Sequence, residues 1–223
     1  MKSYYRHNGS MKAYWCLLPG ICMAVAKADD TTIVFQSMLN EAVYLIESIQ
    51  DAESADLYAA QLKTRGEFLM GLALGNDGKG EKTAFTAELK QRMQAGIKRI
   101  KQENFYNSRI MMAAYDKRQL ATLPPPTDEE KTKTKARILA AFADNHTYIS
   151  HINNKQSAET CCMDMLCTMR LLRCAHAAKL VDAEHDTDIQ QQIQLMMQDT
   201  EKLSRQFKEQ HYYNSILIKE IFQ

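Results

Sequence analysis

Apolar residues recur at spacings of three and four over most of this chain, and strand-like alternation nowhere competes with them. Between Thr32 and Gln50, the residues Ile33, Phe35, Met38, Leu39, Val43, Ile46 and Ile49 form one apolar stripe with the period of an amphipathic helix. A second helix is predicted from Asp51, whose carboxylate can accept from the free N–H groups of a first helical turn. It continues through Leu57, Leu62, Phe68, Leu69 and Leu72 to a stop at Gly75-Asn76. A third follows over about 82–107, with a separate turn of helix reaching Leu123. The same pattern predicts helices over about 128–153, 156–180 and 186–222, the first opened by a capping box of Thr127 with Glu130. The predicted fold class is all-α.

Backbone breakers divide this pattern. No Gly follows Gly96 and no Pro follows Pro126, as expected of long helices joined by short polar turns. Pro124, Pro125 and Pro126 stand side by side and make a stiff, extended segment that no helix can cross. They are read as the joint between two halves, and the halves resemble each other. Ile46, Ile49, Ser54 and Ala55 recur as Ile149, Ile152, Ser157 and Ala158 at an offset of 103, with Asp51 and Glu53 against Asn154 and Gln156. Tyr106-Asn107-Ser108 recurs as Tyr213-Asn214-Ser215 at an offset of 107, where Lys101, Phe105 and Ile110 match Lys208, Tyr212 and Leu217. Self-similarity at a fixed offset marks repeated supersecondary units. The expected organisation is a leader over 1–28, a three-helix unit over 29–123, a joint over 124–126 and a second unit over 127–223. Such units pack as one bundle or as a short helical-repeat array. The repeated Tyr-Asn-Ser is expected to mark a kink or restart of helix, because Asn and Ser side chains serve as caps.

The leader has the layout of a secretory signal peptide. A basic stretch ends at Lys12, an apolar run follows from Ala13 to Ala26, and Ala26-Lys27-Ala28 has the small-x-small form of a cleavage site. The run holds Pro19-Gly20 and falls short of the roughly 20 uninterrupted apolar residues a membrane span needs. Cleavage is therefore expected, leaving no stable span and placing the mature chain in the periplasm or the extracellular space. Met11 is as good a start as Met1.

Charge changes the picture once the leader is set aside. The whole chain carries 28 basic and 27 acidic residues, but Lys2, Arg6, Lys12 and Lys27 lie in the first 28 positions with no acid among them. The rest is net negative by three, which gives no reason to expect nucleic acid.

The candidate chemistry is a run of sulfur. Cys161, Cys162, Cys167 and Cys174 are the only cysteines beyond the leader, and they lie on one predicted helix with Met165, Met169 and His176. Consecutive residues stand about 100° apart around a helix axis, so Cys161, Cys162, Met165, Met169 and His176 share one face while Cys167 and Cys174 point elsewhere. Cys167 and Cys174 are about 10 Å apart along an intact helix, too far for a bridge between them. That leaves buried thiols, a disulfide to a second chain through Cys167 or Cys174, or a metal. Soft sulfur with one imidazole suits Cu(I), and the pattern loosely resembles the exported copper-storing four-helix bundles. Those carry many more cysteines spread over several helices, and the chain is assigned to no family on this ground. Core packing is the simpler reading. At an offset of 103 the five residues align with Tyr58, Ala59, Leu62, Gly66 and Ala73, a plain apolar face.

Other motifs fall away. Asn76-Asp77-Gly78-Lys79-Gly80-Glu81 resembles a calcium loop, but Gly75 and Lys79 occupy ligand positions and Thr86 stands where the bidentate acid belongs. Asp182, Glu184, His185, Asp186 and Asp188 make an acidic loop that reads more simply as solvated. His146 and His151 are five apart, not the four that would stack two ligands. There is no nucleophile elbow, phosphate loop or dinucleotide fingerprint. The expectation is an exported, non-enzymatic protein acting through a protein partner or self-association, with no cofactor. The alternative is a Cu(I)-binding or thiol-redox protein centred on 161–176.

Overall fold

The computed structural model describes residues 30–75, 86–105, 108–212 and 218. The leader, the Asn76–Glu81 loop and the repeated Tyr-Asn pairs lie outside the described residues. Among those described, every regular element is a helix and none is a strand: α1 (Asp30–Ser48), α2 (Ala52–Gly75), α3 (Ala87–Gln102), α4 (Arg109–Tyr115), α5 (Lys117–Leu120), α6 (Asp128–Ile149), α7 (Lys155–Ala177) and α8 (Thr187–Glu209). The chain is all-α. It divides into two compact units, one ending at Pro125 and one beginning at Pro126.

In the N-terminal unit α1 packs against both α2 and α3, and α2 also packs against α4. The stripe on α1 is buried as the periodicity requires: Phe35, Met38, Leu39, Val43, Leu45 and Ile46 face inward. Alanine on the facing helix (Ala55, Ala59 and Ala60, all buried) leaves room for those larger side chains. At the other contact of α1, Gly96 of α3 sits over Ile46 so closely that a Cβ there would fall 2.3 Å from Ile46 Cγ2. Arginine fastens the same seam. Arg92 grips Glu47 through two bonds of 2.8 and 2.7 Å, and this pairing holds the Glu47 carboxyl below the usual range. Arg99 Nη2 donates to the carbonyls of Ile46, Glu47 and Ile49, satisfying acceptors that the end of α1 leaves open.

In the C-terminal unit α6 takes the same central place, packing against both α7 and α8. Ile138, Ala141 and Phe142 of α6 are buried, as are Leu171 and Leu172 of α7 and Ile189, Leu203 and Phe207 of α8. Thr127 and Glu130 form the predicted capping box, with bonds of 2.6 and 3.2 Å.

The helix starts and stops follow local chemistry. Asp51 Oδ1 accepts from Ser54 N at 2.7 Å while Ser54 Oγ accepts from the amides of Gln50 and Asp51. Asn154 and Ser157 repeat this bond for bond, Ser157 Oγ accepting from Asn153 and Asn154. The third helix predicted over 82–107 is shorter and is followed by two more pieces. α3 ends where Glu103 N donates to Arg99 O and Asn104 turns left-handed at φ 56°. Ser108 then caps α4, accepting from Met111 N, and Asp116 breaks α4 from α5. α8 likewise ends before the predicted limit of 222, where Gln210 N donates to Gln206 O and His211 turns at φ 58°. α7 closes by the same device, with Lys179 at φ 59° and Leu180 N bonded to Ala175 O. No helix among the described residues is long and apolar enough to cross a membrane.

Candidate functional site

The sulfur helix is α7, and it is buried around most of its circumference. Cys161, Cys162, Met163, Met165, Cys167, Thr168, Leu171, Leu172, Cys174 and Ala175 are all buried, whereas an ordinary surface helix buries one stripe. The four cysteines are reduced thiols. Burial pushes the Cys162 thiol well above its usual range, and neighbouring Cys161 and Glu159 push the same way. A thiolate is the reactive form, so this group is held in its inert state.

The face proposed for soft-metal binding is shared along its length but not at a point. Cys161 Sγ lies 4.0 Å from Met165 Sδ, one turn on. Met169 is only half-buried and His176 is exposed. His176 stands about 22 Å along the axis from Cys161, and its Nδ1 accepts from Ala183 N at 3.2 Å instead. One ion cannot reach all five residues; Cys161 and Met165 are the pair brought together. Among the described residues no group of three or more His, Cys, Asp or Glu side chains is gathered as a metal would need. Cys167 and Cys174, the residues considered for a bridge to a second chain, are only 7% and 5% exposed. Their sulfurs would meet another chain only if the unit opened.

The acidic loop 182–188 spends its charges on its own structure. Asp182 accepts from the amides of Glu184 and His185 and from His185 Nδ1. The His185 contact, with these amides, lowers its pKa. Asp186 caps α8 and, with Asp188, holds Lys135 Nζ at 2.7 and 2.8 Å. Lys135 in turn keeps Asp186 below the usual carboxylate range. Asp182, Glu184, His185, Asp186 and Lys135 line an open hollow of about 620 Å³ together with Lys131, His176 and Lys179, in which acids and bases neutralise one another.

Beyond the Arg92–Glu47 and Lys135–Asp188 contacts, three further polar pairs join helices, and none was read from the sequence. Arg65 of α2 pairs with Glu41 of α1, both nearly excluded from solvent. Asn145 Nδ2 of α6 donates to Thr168 Oγ1 of α7 at 2.7 Å, and both residues are buried. His146 Nδ1 of α6 lies 2.6 Å from Asp199 Oδ2 of α8, and Lys202 Nζ lies 3.3 Å from the other carboxylate oxygen. The Asp199 side chain is 4% exposed and that of His146 54%. A buried carboxylate on Nδ1 sets the imidazole with Nε2 outward, the orientation used by bases and metal ligands. Here the contact joins α6 to α8 beside a cavity of about 10 Å³ lined by Phe142, Asn145, Met165, Gln192 and Met196, room for one water at most. Partners 53 residues apart in sequence leave no spacing signal; the only cue was an Asp on the inward face of its helix, and its His partner stays half-exposed.

No family model, no curated protein and no solved structure matches the chain.

Proposed function

We propose that this is an exported helical protein without catalytic activity, working by protein–protein contact in the cell envelope or the extracellular space. What carries the reading is the disposition of reactive side chains. The cysteines are interior, and the His–Asp contacts and the Asp182–Asp188 loop serve to cap turns and join helices. What the surface offers instead are large apolar groups, chiefly Met70 and Met197, each 63% exposed. Methionine is unbranched and polarisable, and adapts well to a partner's surface.

Export rests on the leader. A chain with four reduced thiols is exposed to oxidation outside the cytoplasm, and the burial of all four limits it there. The units over 29–123 and 127–223, joined through 124–126, are read as copies of one ancestral unit. The shared backbone-capping bonds at Asp51/Ser54 and Asn154/Ser157, and the matched stops at Asn104 and His211, support that reading.

Two measurements test the proposal. N-terminal sequencing of the protein from its native host should find Asp29 first; an intact leader on the functional protein would refute export. Cross-linking in the native envelope or medium should give a discrete adduct that weakens in Met70→Glu or Met197→Glu without loss of helicity. Adducts indifferent to both changes would refute a contact through these residues.

A second reading is favoured by the Cys161 Sγ to Met165 Sδ approach of 4.0 Å: a Cu(I) or thiol-redox role on α7. It requires copper in the purified protein, lost on joint replacement Cys161→Ser and Cys162→Ser. Metal-free protein from copper-replete cells would dispose of the Cu(I) role, and thiols that stay reduced in the native protein under a mild oxidant would dispose of the redox role.

A further inference from the structure

The two helical hairpins α1–α2 and α6–α7 are alike in features that guide pairing. Each second helix is opened by the same cap, Asp51/Ser54 or Asn154/Ser157. Ala55 and Ala59 occupy buried positions matched by the buried Ala158 and Cys162. Apolar burial is non-directional, so it discriminates poorly between α2 and α7 as partners for α1. That ambiguity exists within one chain during folding and between two copies at high concentration.

The buried polar pairs differ where the rest is alike. Arg65 lies fourteen residues past the Asp51 cap, and Thr168 lies fourteen past the Asn154 cap. At that shared level α1 and α2 are joined by a charge pair, Glu41–Arg65. There α6 and α7 are joined by a neutral one, Asn145–Thr168. A buried ion pair adds little net stability over apolar residues of the same size, but stranding one partner is strongly destabilising. A mispaired α1–α7 hairpin would set the Glu41 carboxylate against the Thr168 hydroxyl, with Asp164 one turn earlier on the same stripe. The nearest cation on α7, Arg170, stands about 200° around the helix from Thr168, so no basic residue shares that stripe at that level. The complementary error, α2 on α6, is less discriminating, because Asp144 holds the position that matches Glu41 and offers Arg65 an acid. The two errors occur together whenever partners are exchanged, so the cost at Glu41 decides.

We propose that the Glu41–Arg65 and Asn145–Thr168 pairs act as address labels: they direct α1 to α2 and α6 to α7, and exclude exchange of helices between the two hairpins or between two copies of the chain. The assignment requires only that the hairpins be alike and holds whether or not they share an ancestor.

The test is refolding of the full chain from urea at high concentration, followed by size-exclusion chromatography with light scattering. The triple variant Glu41→Asp, Ala42→Asn, Arg65→Thr gives the first hairpin the label of the second. Should it fail to fold, Glu41→Gln with Arg65→Met removes the label at nearly constant volume. Glu41→Arg with Arg65→Glu keeps a charge pair and reverses its direction. Removing or matching the label should raise the misassembled fraction at least fivefold over the parent, while the reversed pair should refold as cleanly as the parent. Clean refolding of the label-free variant would overturn the proposal. So would equal misassembly of the reversed pair, since the pair would then matter only as packing.

Discussion

Replacing glycine by alanine inside a helix ordinarily stabilises it by about 1 kcal/mol, and two glycines here should respond with opposite sign. Gly66 lies in α2 with nothing within 4 Å of an added Cβ, so Gly66→Ala should gain about 0.5–1 kcal/mol. At Gly96 the added carbon would fall 2.3 Å from Ile46 Cγ2, with Ile46 Cβ at 3.6 Å and its carbonyl carbon at 3.7 Å. Carbon atoms pack at about 3.5–4.0 Å, so more than an ångström must be found. Ile46 cannot readily supply it, being buried and, as a β-branched residue, confined to one main rotamer in a helix. The alternative is separation of α3 from α1, which stretches the Arg92–Glu47 and Arg99–carbonyl bonds. Overpacking of this kind costs about 1–3 kcal/mol. Set against the propensity gain of about 1 kcal/mol, Gly96→Ala should lose up to about 2 kcal/mol, a fall of up to several degrees in Tm for a unit of this size. Urea titrations followed by circular dichroism would read both variants. A cycle with Ile46→Ala, which removes the offending methyl, should show coupling of about 1 kcal/mol or more. Gly96→Ala as stable as Gly66→Ala, with no coupling to Ile46, would refute the close approach of α1 and α3.

Site-resolved alkylation of the native protein should leave Cys161, Cys162, Cys167 and Cys174 unmodified, with all four labelled in denaturant; labelling of any one in the folded chain contradicts its burial. On the acid side, Asp186 and Asp182 have folded pKa values lowered chiefly by Lys135 and His185 respectively. Their stabilisation is therefore complete above the unfolded carboxylate pKa of about 3.9 and is lost as pH falls through the lowered folded values. Lys135→Met should flatten that acid limb in pH-dependent urea titrations, and an unchanged limb would remove the Lys135–Asp186 contact from the account. Lys179 adopts φ 59° at the end of α7, a conformation that suits glycine. Lys179→Gly should raise stability by about 0.5–1 kcal/mol, and a fall in Tm would show that the side chain has a role of its own.

The all-α class was legible because apolar spacing reports on burial directly: the stripe Phe35, Met38, Leu39, Val43 and Ile46 is inward-facing throughout. Caps were legible for the same local reason. Thr127 with Glu130 and Asp51 with the next turn are contacts three residues apart, and sequence displays such spacing. The ends of α3 and α8 were harder, since they rest on left-handed Asn104 and His211 with no glycine to announce them. The pairs Glu41–Arg65 and His146–Asp199 were invisible because their partners lie 24 and 53 residues apart and meet only by packing. The sulfur helix shows the limit most clearly. Helical geometry placed His176 on the face of Cys161, but a shared face extends along the whole axis, and a ligand site requires proximity as well.

The interior placement of the four thiols has a consequence in time. An oxidant meets the Cys161 sulfur only in molecules whose C-terminal unit has opened, so damage proceeds at the intrinsic rate scaled by the open population. Each 1.4 kcal/mol of stability in that unit then lengthens its chemical half-life about tenfold, and each destabilising substitution shortens it alike, even one far from any sulfur. Ageing in an oxidising medium becomes a clock whose rate is set by the free energy of folding.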